Sequence, residues 1–250
     1  MKLGAQLFSL RKFIKTPEDI RTTFEKVKAM GFDNVQFSGG GPIEAHELKA
    51  ISEDTGLPIV CTHSAPDRIL NDTEALIEEH KIFGCPVIGY GCMPKEFRKG
   101  ERDVMEFFEE LKTPVEKILN SGLRFAYHNH AFEFEDIGGI HTYDLLIEEF
   151  PELNFILDTY WVKYGGYDYL SYIEKIGNAR MTNVHFKDMK DEPRGKIVPC
   201  GTGVIDFAPV VKLCDKLGIP NALVEQDTAP KTGDSYGQMR ISYNNLKKLF

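Results

Sequence analysis

One pattern of hydrophobic and polar positions recurs along the chain. An amphipathic stretch ends near a glycine and is followed by a short apolar run, as in KAMGFDNVQF, KIFGCPVIGY and DKLGIPNALVEQD. Glycine just past a helix supplies the left-handed residue that ends it. Apolar runs that do not alternate with polar residues are typical of strands buried on both faces. The pattern therefore predicts helices alternating with buried strands.

Eight such apolar runs predict eight strands. They lie near residues 2–8, 33–37, 58–63, 86–90, 123–128, 154–159, 181–186 and 221–225. The segments between them have helical spacing, and the longest predicted helix runs from Val104 to Ile118. Alternating strands and helices favour a parallel sheet. Eight units favour a closed α/β barrel, and an open doubly wound sheet is disfavoured because no GxGxxG follows the first strand. We predict one (β/α)8 TIM-barrel domain over residues 1–250.

Composition and charge narrow the functional classes. The chain is 42% hydrophobic and 27% charged, with a formal net charge of −8. This acidic balance does not suit a nucleic-acid binder. The five cysteines form no CxxC pair, which disfavours a disulfide scaffold or a thiolate zinc site. The sequence shows no signal peptide and no membrane span. We expect a cytoplasmic protein without nucleic-acid or membrane partners, and a homo-oligomer stays open.

The residue that closes each predicted strand carries a polar group. In chain order these residues are Gln6, Gln36, His63, Tyr90, His128, Asp158, His185 and Glu225. The active sites of α/β barrels lie at the C-terminal ends of the strands. A purely structural barrel gives no reason to collect ionisable groups there. We therefore expect an active site at this end, with Gln6, Gln36 and His63 in contact with a substrate.

Asp158, His185 and Glu225 are the most informative of these residues. Two carboxylates and an imidazole that converge on one point lose hydration, and the carboxylates repel each other. A divalent cation removes both costs. The oxygen and nitrogen ligands suit Mn²⁺, Mg²⁺, Co²⁺ or Zn²⁺. We predict one divalent metal ion per chain, with Mn²⁺ favoured.

Several stretches resemble the sugar phosphate isomerase/epimerase group of the xylose-isomerase-like barrel superfamily. They are LGAQLFSLR, YHNHAFEF, ILDTYW, NVHFKD, GTGVIDF and LVEQD, which extend to about residue 227. The resemblance implies a (β/α)8 barrel that holds one divalent metal through Glu, Asp, His and Glu. Asp158, His185 and Glu225 match three of these ligands. The resemblance is specific for the superfamily but does not name a substrate.

The fourth ligand is where this sequence departs from the family pattern. The sugar epimerases of the family end the fifth strand on a Glu that lies six residues after a glycine. The same count from Gly122 reaches His128. Spacing therefore favours His128 as the ligand, whereas ligand charge favours Glu133. We prefer Glu133 slightly and keep His128 as the alternative.

The resemblance and the polar strand ends together suggest a reaction. We expect an isomerase or epimerase that removes a proton beside the carbonyl of a keto-sugar or sugar phosphate, through a metal-stabilised enediolate. Glu225 or Glu133 would be the base, His128 or His130 the acid, and Lys187 would stabilise the enolate oxygen.

Other reactions stay open. The YHNH stretch is also similar to inosose dehydratases and to subunits that cleave 3-keto-glycosides, so a metal-dependent dehydratase or lyase on a keto-sugar or keto-inositol is the alternative. A non-catalytic subunit of a complex and an abasic-site endonuclease are less favoured.

Three further features complete the sequence picture. Trp161, the one tryptophan of the chain, is expected to form a wall of the sugar site. The stretch FSGGGP at residues 37–42 resembles a phosphate-binding loop, although glycine-rich turns are common. The remaining histidines fall in predicted helices or loops and receive no role; they are His46, His80 and His141.

Overall fold

Eight parallel strands form a barrel within the part of the chain that the structure describes. The structure is a computed structural model that describes residues 1–192 and 195–250. The barrel strands are β1 (Lys2–Gln6), β2 (Asn34–Ser38), β3 (Ile59–His63), β4 (Val87–Tyr90), β5 (Arg124–His128), β6 (Asn154–Asp158), β7 (Met181–Phe186) and β10 (Asn221–Val224). Two short strands, β8 (Asp188–Met189) and β9 (Ile197–Val198), pair antiparallel outside the barrel. All eight predicted strands are confirmed within one residue at each end, except that the first ends at Gln6.

The strands follow one another around the barrel in the order β3-β2-β1-β10-β7-β6-β5-β4. The barrel closes where the Ser64 N–H donates to the Gly89 carbonyl at 3.0 Å, beyond the end of β3. Strands β6, β7 and β10 are buried at every position, as expected for strands covered on both faces. This arrangement confirms the predicted TIM barrel and places the C-terminal strand ends around one mouth.

Helices connect and cover the strands. They are α1 (Pro17–Met30), α2 (Ala45–Thr55), α3 (Pro66–Asn71), α4 (Thr73–Ile82), α5 (Glu101–Asn120), α6 (Thr142–Glu149), α7 (Thr159–Tyr164), α8 (Tyr169–Arg180), α9 (Phe207–Leu217) and α10 (Ser235–Leu246). Helix α5 contains the predicted Val104–Ile118 segment, and each of its predicted apolar positions is buried. Among the helices of the described residues, none combines the length and the apolar character needed to cross a membrane.

Two local features explain residues that the sequence left ambiguous. Gln6 ends β1 because its side-chain oxygen accepts a hydrogen bond from Phe8 N at 3.1 Å and so begins the 3₁₀ helix Leu7–Phe13. The glycines of FSGGGP are required by close packing. A Cβ atom on Gly40 would overlap the Phe37 ring, and one on Gly41 would overlap the Lys15 carbonyl. The glycine-rich stretch therefore has a structural cause that needs no phosphate.

Candidate active site

Four buried side chains meet at the barrel mouth. His128 ends β5, Asp158 ends β6, His185 lies on β7 and Glu225 follows β10. One ligand atom from each residue lies within 4.8 Å of those from the others. The four strands are consecutive neighbours in the barrel, so the four side chains come from one continuous arc. The structure thus brings together Asp158, His185 and Glu225, as the sequence suggested, and adds His128.

Each imidazole of this group has one nitrogen engaged by an oxygen that can only accept. His128 Nδ1 donates to the Gly91 carbonyl at 3.2 Å, and His185 Nε2 donates to Gln36 Oε1 at 2.7 Å. In the neutral rings, the opposite nitrogens therefore carry lone pairs. His128 Nε2 lies 3.5 Å from Asp158 Oδ2, and His185 Nδ1 lies 2.9 Å from Glu225 Oε2. Metal-binding histidines are held in this way, with the second ring nitrogen donating to an oxygen.

Lys187 is a buried cation among the carboxylates. Its Nζ lies 2.9 Å from Asp158 Oδ2, 3.0 Å from Glu225 Oε2 and 2.9 Å from Asp227 Oδ2. Burial alone would lower the pKa of Lys187, but the three carboxylates raise it well above its ordinary value. Burial likewise opposes ionisation of Asp158 and Glu225. Lys187 and the neighbouring histidines outweigh it and hold the pKa of both carboxyl groups below their ordinary values.

The residues present fit a divalent cation. Three carboxylates face the single ammonium of Lys187, so two negative charges of this cluster have no counter-charge when the imidazoles are neutral. His128 Nε2 is buried and makes no hydrogen bond. Burial lowers the pKa of His128, which keeps this nitrogen unprotonated. Burial lowers the pKa of His185, but Glu225 and Asp158 outweigh burial and raise it, so a metal ion at Nδ1 would displace a proton there. Two imidazole nitrogens and two carboxylates form a donor set suited to a first-row transition metal.

Glu133 lies apart from this group. Its Oε1 accepts from the Tyr127 hydroxyl at 2.6 Å, and its Oε2 accepts from His130 N at 2.8 Å. The 3₁₀ turn Phe132–Phe134 directs the carboxylate to these two donors. Burial raises the pKa of Glu133 to about 7, although the Tyr127 hydrogen bond acts in the opposite direction. The geometry therefore does not match our preference for Glu133 as the fourth ligand, and it favours His128.

The two glutamines expected to contact substrate have protein partners. Gln36 Oε1 holds the His185 ring, and Gln6 Oε1 begins a helix. The side-chain Nε2 of each is buried without a partner. Gln36 therefore orients a member of the four-residue group, which the sequence alone did not suggest.

His63, His130 and Trp161, which the sequence assigned to the site, lie around the group. The His63 ring centroid is 5.0 Å from that of His128, and the His130 ring centroid is 4.9 Å from that of His128. Trp161 lies beside His130 at 5.2 Å and beside the Lys187 ammonium at 5.3 Å. Burial lowers the pKa of both His63 and His130 well below the ordinary value. One polar atom of each of these three side chains is buried and unpaired: His63 Nε2, His130 Nδ1 and Trp161 Nε1.

A cavity of about 340 Å³ opens above the group. Its lining consists of Phe8, Ser38, Gly39, His63, Ser64, Pro66, Gly91, Cys92, His128, His130, Lys187, Glu225 and Asp227. A second cavity of about 220 Å³ lies between β2, β3, α2 and α4. The two cavities share the lining residues Ser38, Gly39, His63 and Ser64. These volumes suit a small polar ligand.

Sequence reasoning missed two residues of the site. Asp227 binds Lys187 from the loop after β10, and its spacing of two from Glu225 in LVEQD is the signal that could have revealed it. Asn129 Oδ1 accepts from Asp158 N at 2.9 Å and fixes the end of β6. Asn129 follows His128 directly, but nothing in the sequence alone indicates a partner 29 positions away.

Comparison with known proteins gives the family. The sequence model of the family described as xylose isomerase-like TIM barrel matches residues 24–238. A sugar phosphate isomerase/epimerase from Parabacteroides distasonis ATCC 8503 has a similar structure, with a TM-score of 0.82, 21% identity and coverage of 99% of this chain and 98% of that chain. No curated protein matches the chain in sequence.

Two further solved structures share the fold at lower identity. The probable 3-DHS dehydratase AsbF involved in petrobactin synthesis from Bacillus anthracis has a TM-score of 0.71 and 16% identity, covering 96% of this chain and 98% of that chain. An L-ribulose 3-epimerase has a TM-score of 0.70 and 15% identity, covering 99% and 94%. The family match spans most of the sequence and confirms the resemblance drawn from it: the chain belongs to the xylose isomerase-like TIM-barrel family.

Proposed function

We propose that the chain is a divalent-metal-dependent isomerase or epimerase that removes a proton beside the carbonyl of a keto-sugar. The observation that carries the proposal is the buried convergence of His128, Asp158, His185 and Glu225 at the barrel mouth. The names of the structural neighbours, an isomerase/epimerase and an L-ribulose 3-epimerase, support the same reaction class.

The donor set bears on the choice of metal. Mn²⁺ accepts mixed carboxylate and imidazole ligands, and it remains the metal that we propose. His128 in the position of a glutamate increases the share of nitrogen ligands. Co²⁺ and Zn²⁺ therefore rank next, and Mg²⁺, which prefers oxygen ligands, ranks last. When bound, the cation would polarise the substrate carbonyl and stabilise negative charge that develops beside it.

Glu225 is the base in this proposal. Its carboxylate lines the cavity, and Lys187 and His185 keep it ionised. It would take the proton from the carbon next to the carbonyl. The Lys187 ammonium, held by Asp227, would donate a hydrogen bond to the oxygen on which charge develops.

The unpaired polar atoms around the cavity support a polyhydroxylated substrate. His63 Nε2, His130 Nδ1 and Trp161 Nε1 are buried without hydrogen bonds. Leaving a buried donor or acceptor unpaired costs about 1–3 kcal/mol, which a ligand hydroxyl can relieve. His130 lines the same cavity and would be the group that returns a proton to the substrate.

Elimination is the second candidate reaction. It begins with the same proton removal and differs only in the loss of a group from the neighbouring carbon. A probable dehydratase is among the structural neighbours, so elimination is tested beside isomerisation and epimerisation.

Hydrogen exchange with solvent tests the step that all these reactions share. The chain, loaded separately with Mn²⁺, Co²⁺ or Zn²⁺, is incubated in D₂O with L-ribulose, D-fructose or D-fructose 6-phosphate, and products are followed by NMR. We expect deuterium at the carbon beside the carbonyl, and loss of water would identify elimination. The Glu225→Gln variant is the control. Incorporation no faster than in that variant, with every metal and sugar, contradicts the proposal.

A further inference from the structure

A chain of three hydrogen bonds leads from α4 to the rim of the site. His80 Nδ1 lies 2.8 Å from the Leu76 carbonyl oxygen, and His80 Nε2 lies 2.9 Å from Thr62 Oγ1. Thr62 Oγ1 lies 3.0 Å from Ser64 Oγ. His80 and Thr62 are buried, whereas Ser64 is half-buried and lines both cavities. The chain therefore connects a buried histidine with the space open to a ligand.

The direction of these three hydrogen bonds is fixed by His80 and the Leu76 carbonyl. The Leu76 carbonyl can only accept, so His80 Nδ1 carries a proton. Burial lowers the pKa of His80 to about 4, so the ring is neutral near pH 7 and Nε2 is an acceptor. Thr62 must donate its one hydroxyl proton to Nε2, and it can then only accept from Ser64. Ser64 therefore donates its hydroxyl proton to Thr62 Oγ1, and the lone pairs of Ser64 Oγ face the cavities.

The position of Ser64 makes this polarity relevant to a ligand. Its backbone N–H is bound to the Gly89 carbonyl at 3.0 Å, which fixes the residue at the closure of the barrel. Its neighbour His63 lies 5.0 Å from the His128 ring. A ligand that reaches the four-residue group and extends toward the second cavity passes over Ser64, because both cavities include it.

We propose that Ser64 is a specificity-determining residue that accepts a hydrogen bond from a hydroxyl group of a neutral sugar, with Thr62 and His80 as positioning residues that set its direction. This inference rests on the proposed function and narrows its substrate class. A hydroxyl group has a proton to donate to Ser64 Oγ. An ionised phosphate or an ether oxygen has none, so its lone pairs would face those of Ser64 Oγ and repel them. Sites built to bond a hydroxyl discriminate strongly against analogues that cannot make the bond.

The tautomer of His80 tests the direction of the three hydrogen bonds without any ligand. In ¹⁵N-resolved NMR spectra of the metal-free chain, the His80 signals are assigned by their loss in His80→Gln. We expect a proton on Nδ1 and a bare Nε2. A proton on His80 Nε2 at neutral pH would reverse the direction of the three hydrogen bonds and overturn the inference.

Binding measured through Trp161 tests the ligand class without turnover. Trp161 is the one tryptophan and lies beside His130, which lines the cavity, so we expect its fluorescence to respond to a bound sugar. D-fructose and D-fructose 6-phosphate are titrated into the Mn²⁺-loaded chain. We expect D-fructose to bind more tightly, and Ser64→Ala and Thr62→Val each to raise its Kd about tenfold. Thr182→Val is the matched control and should leave the Kd unchanged. Thr182 is a buried threonine whose hydroxyl donates to the Phe155 carbonyl in β6 and accepts from Asn183 Nδ2, and it lines neither cavity.

The outcomes separate this inference from the proposed function. An unchanged Kd in Ser64→Ala and Thr62→Val, tighter binding of the phosphate, or no response to either sugar overturns the inference. Loss of affinity in both variants without any deuterium exchange leaves Ser64 as a sugar-binding residue and contradicts the proposed reaction alone.

Discussion

The Lys187 ammonium lies 2.9 Å from Asp158 Oδ2, and both side chains are buried. The lysine is also held by Glu225 and Asp227. In the metal-free chain it therefore supplies the counter-charge that buried carboxylates require. A divalent cation bound by Asp158 and Glu225 would be repelled by the same ammonium, so we expect Lys187 to weaken metal binding while it stabilises the metal-free site.

Replacing Lys187 by methionine should separate these two effects. We expect Lys187→Met to bind Mn²⁺ at least tenfold more tightly, because the repulsion is removed. The metal-free variant should lose about 3–5 kcal/mol of unfolding free energy, because buried carboxylates lose their partner. Calorimetric titration and thermal unfolding measure both. Lys190→Met, at an exposed position three residues later, is the control; equal behaviour of the two variants would remove Lys187 from this role.

His128 and Glu133 differ in their expected effect on metal content. His128→Ala should lower Mn²⁺ affinity about a hundredfold, because it removes a donor from the four-residue group. Glu133→Ala should retain the metal, because the Glu133 carboxylate binds Tyr127 and His130 N instead. Elemental analysis after gel filtration measures both. If Glu133→Ala loses the metal and His128→Ala keeps it, Glu133 is the fourth ligand, as ligand charge favoured.

Glu225→Gln should keep the fold and lose turnover. The amide retains the shape of the carboxyl group, but it cannot take a proton. We expect circular dichroism to be unchanged and turnover to fall by ~10² or more. Turnover within a few-fold of the parent chain would make Glu225 a structural residue.

Glu133 should make stability depend on pH. Its pKa is raised to about 7 by burial, above the ordinary value near 4.5 of an unfolded chain. A carboxyl group with a raised pKa contributes stability that is complete below the unfolded value and is lost as the pH rises through the folded value. Between pH 4.5 and 7 we expect a loss of about 2–3 kcal/mol in the parent chain. Denaturant unfolding should show this loss in the parent chain and its absence in Glu133→Gln; parallel pH profiles would contradict it.

The fold could be predicted because its signals are local. Glycines such as Gly31 and Gly218 adopt left-handed conformations at helix ends, and the apolar runs after them enter the barrel. Tertiary contacts decided where the first strand ends, since Gln6 binds Phe8 N and turns the chain into a 3₁₀ helix.

The site could be predicted only in part. Asp158, His185 and Glu225 follow apolar runs, and barrel topology alone brings such residues together. The choice between His128 and Glu133 depends on a turn whose direction is set by the Tyr127 hydroxyl. His80 received no role from the sequence, because its link to Thr62 joins positions 18 apart on a helix and a strand.

The closure of the barrel has a dynamic consequence. In the part of the chain that the structure describes, β3 and β4 are joined by the one bridge between Ser64 and Tyr90, whereas every other neighbouring pair shares three or more paired residues. Backbone amides at this seam should exchange with solvent before those of the other strands. The four converging side chains lie on or directly after strands that share three or more paired residues with each neighbour, whereas Ser64 lies at the seam. The barrel thus places its four converging side chains on extensively paired strands and Ser64 at its least-paired junction, where we expect local opening first.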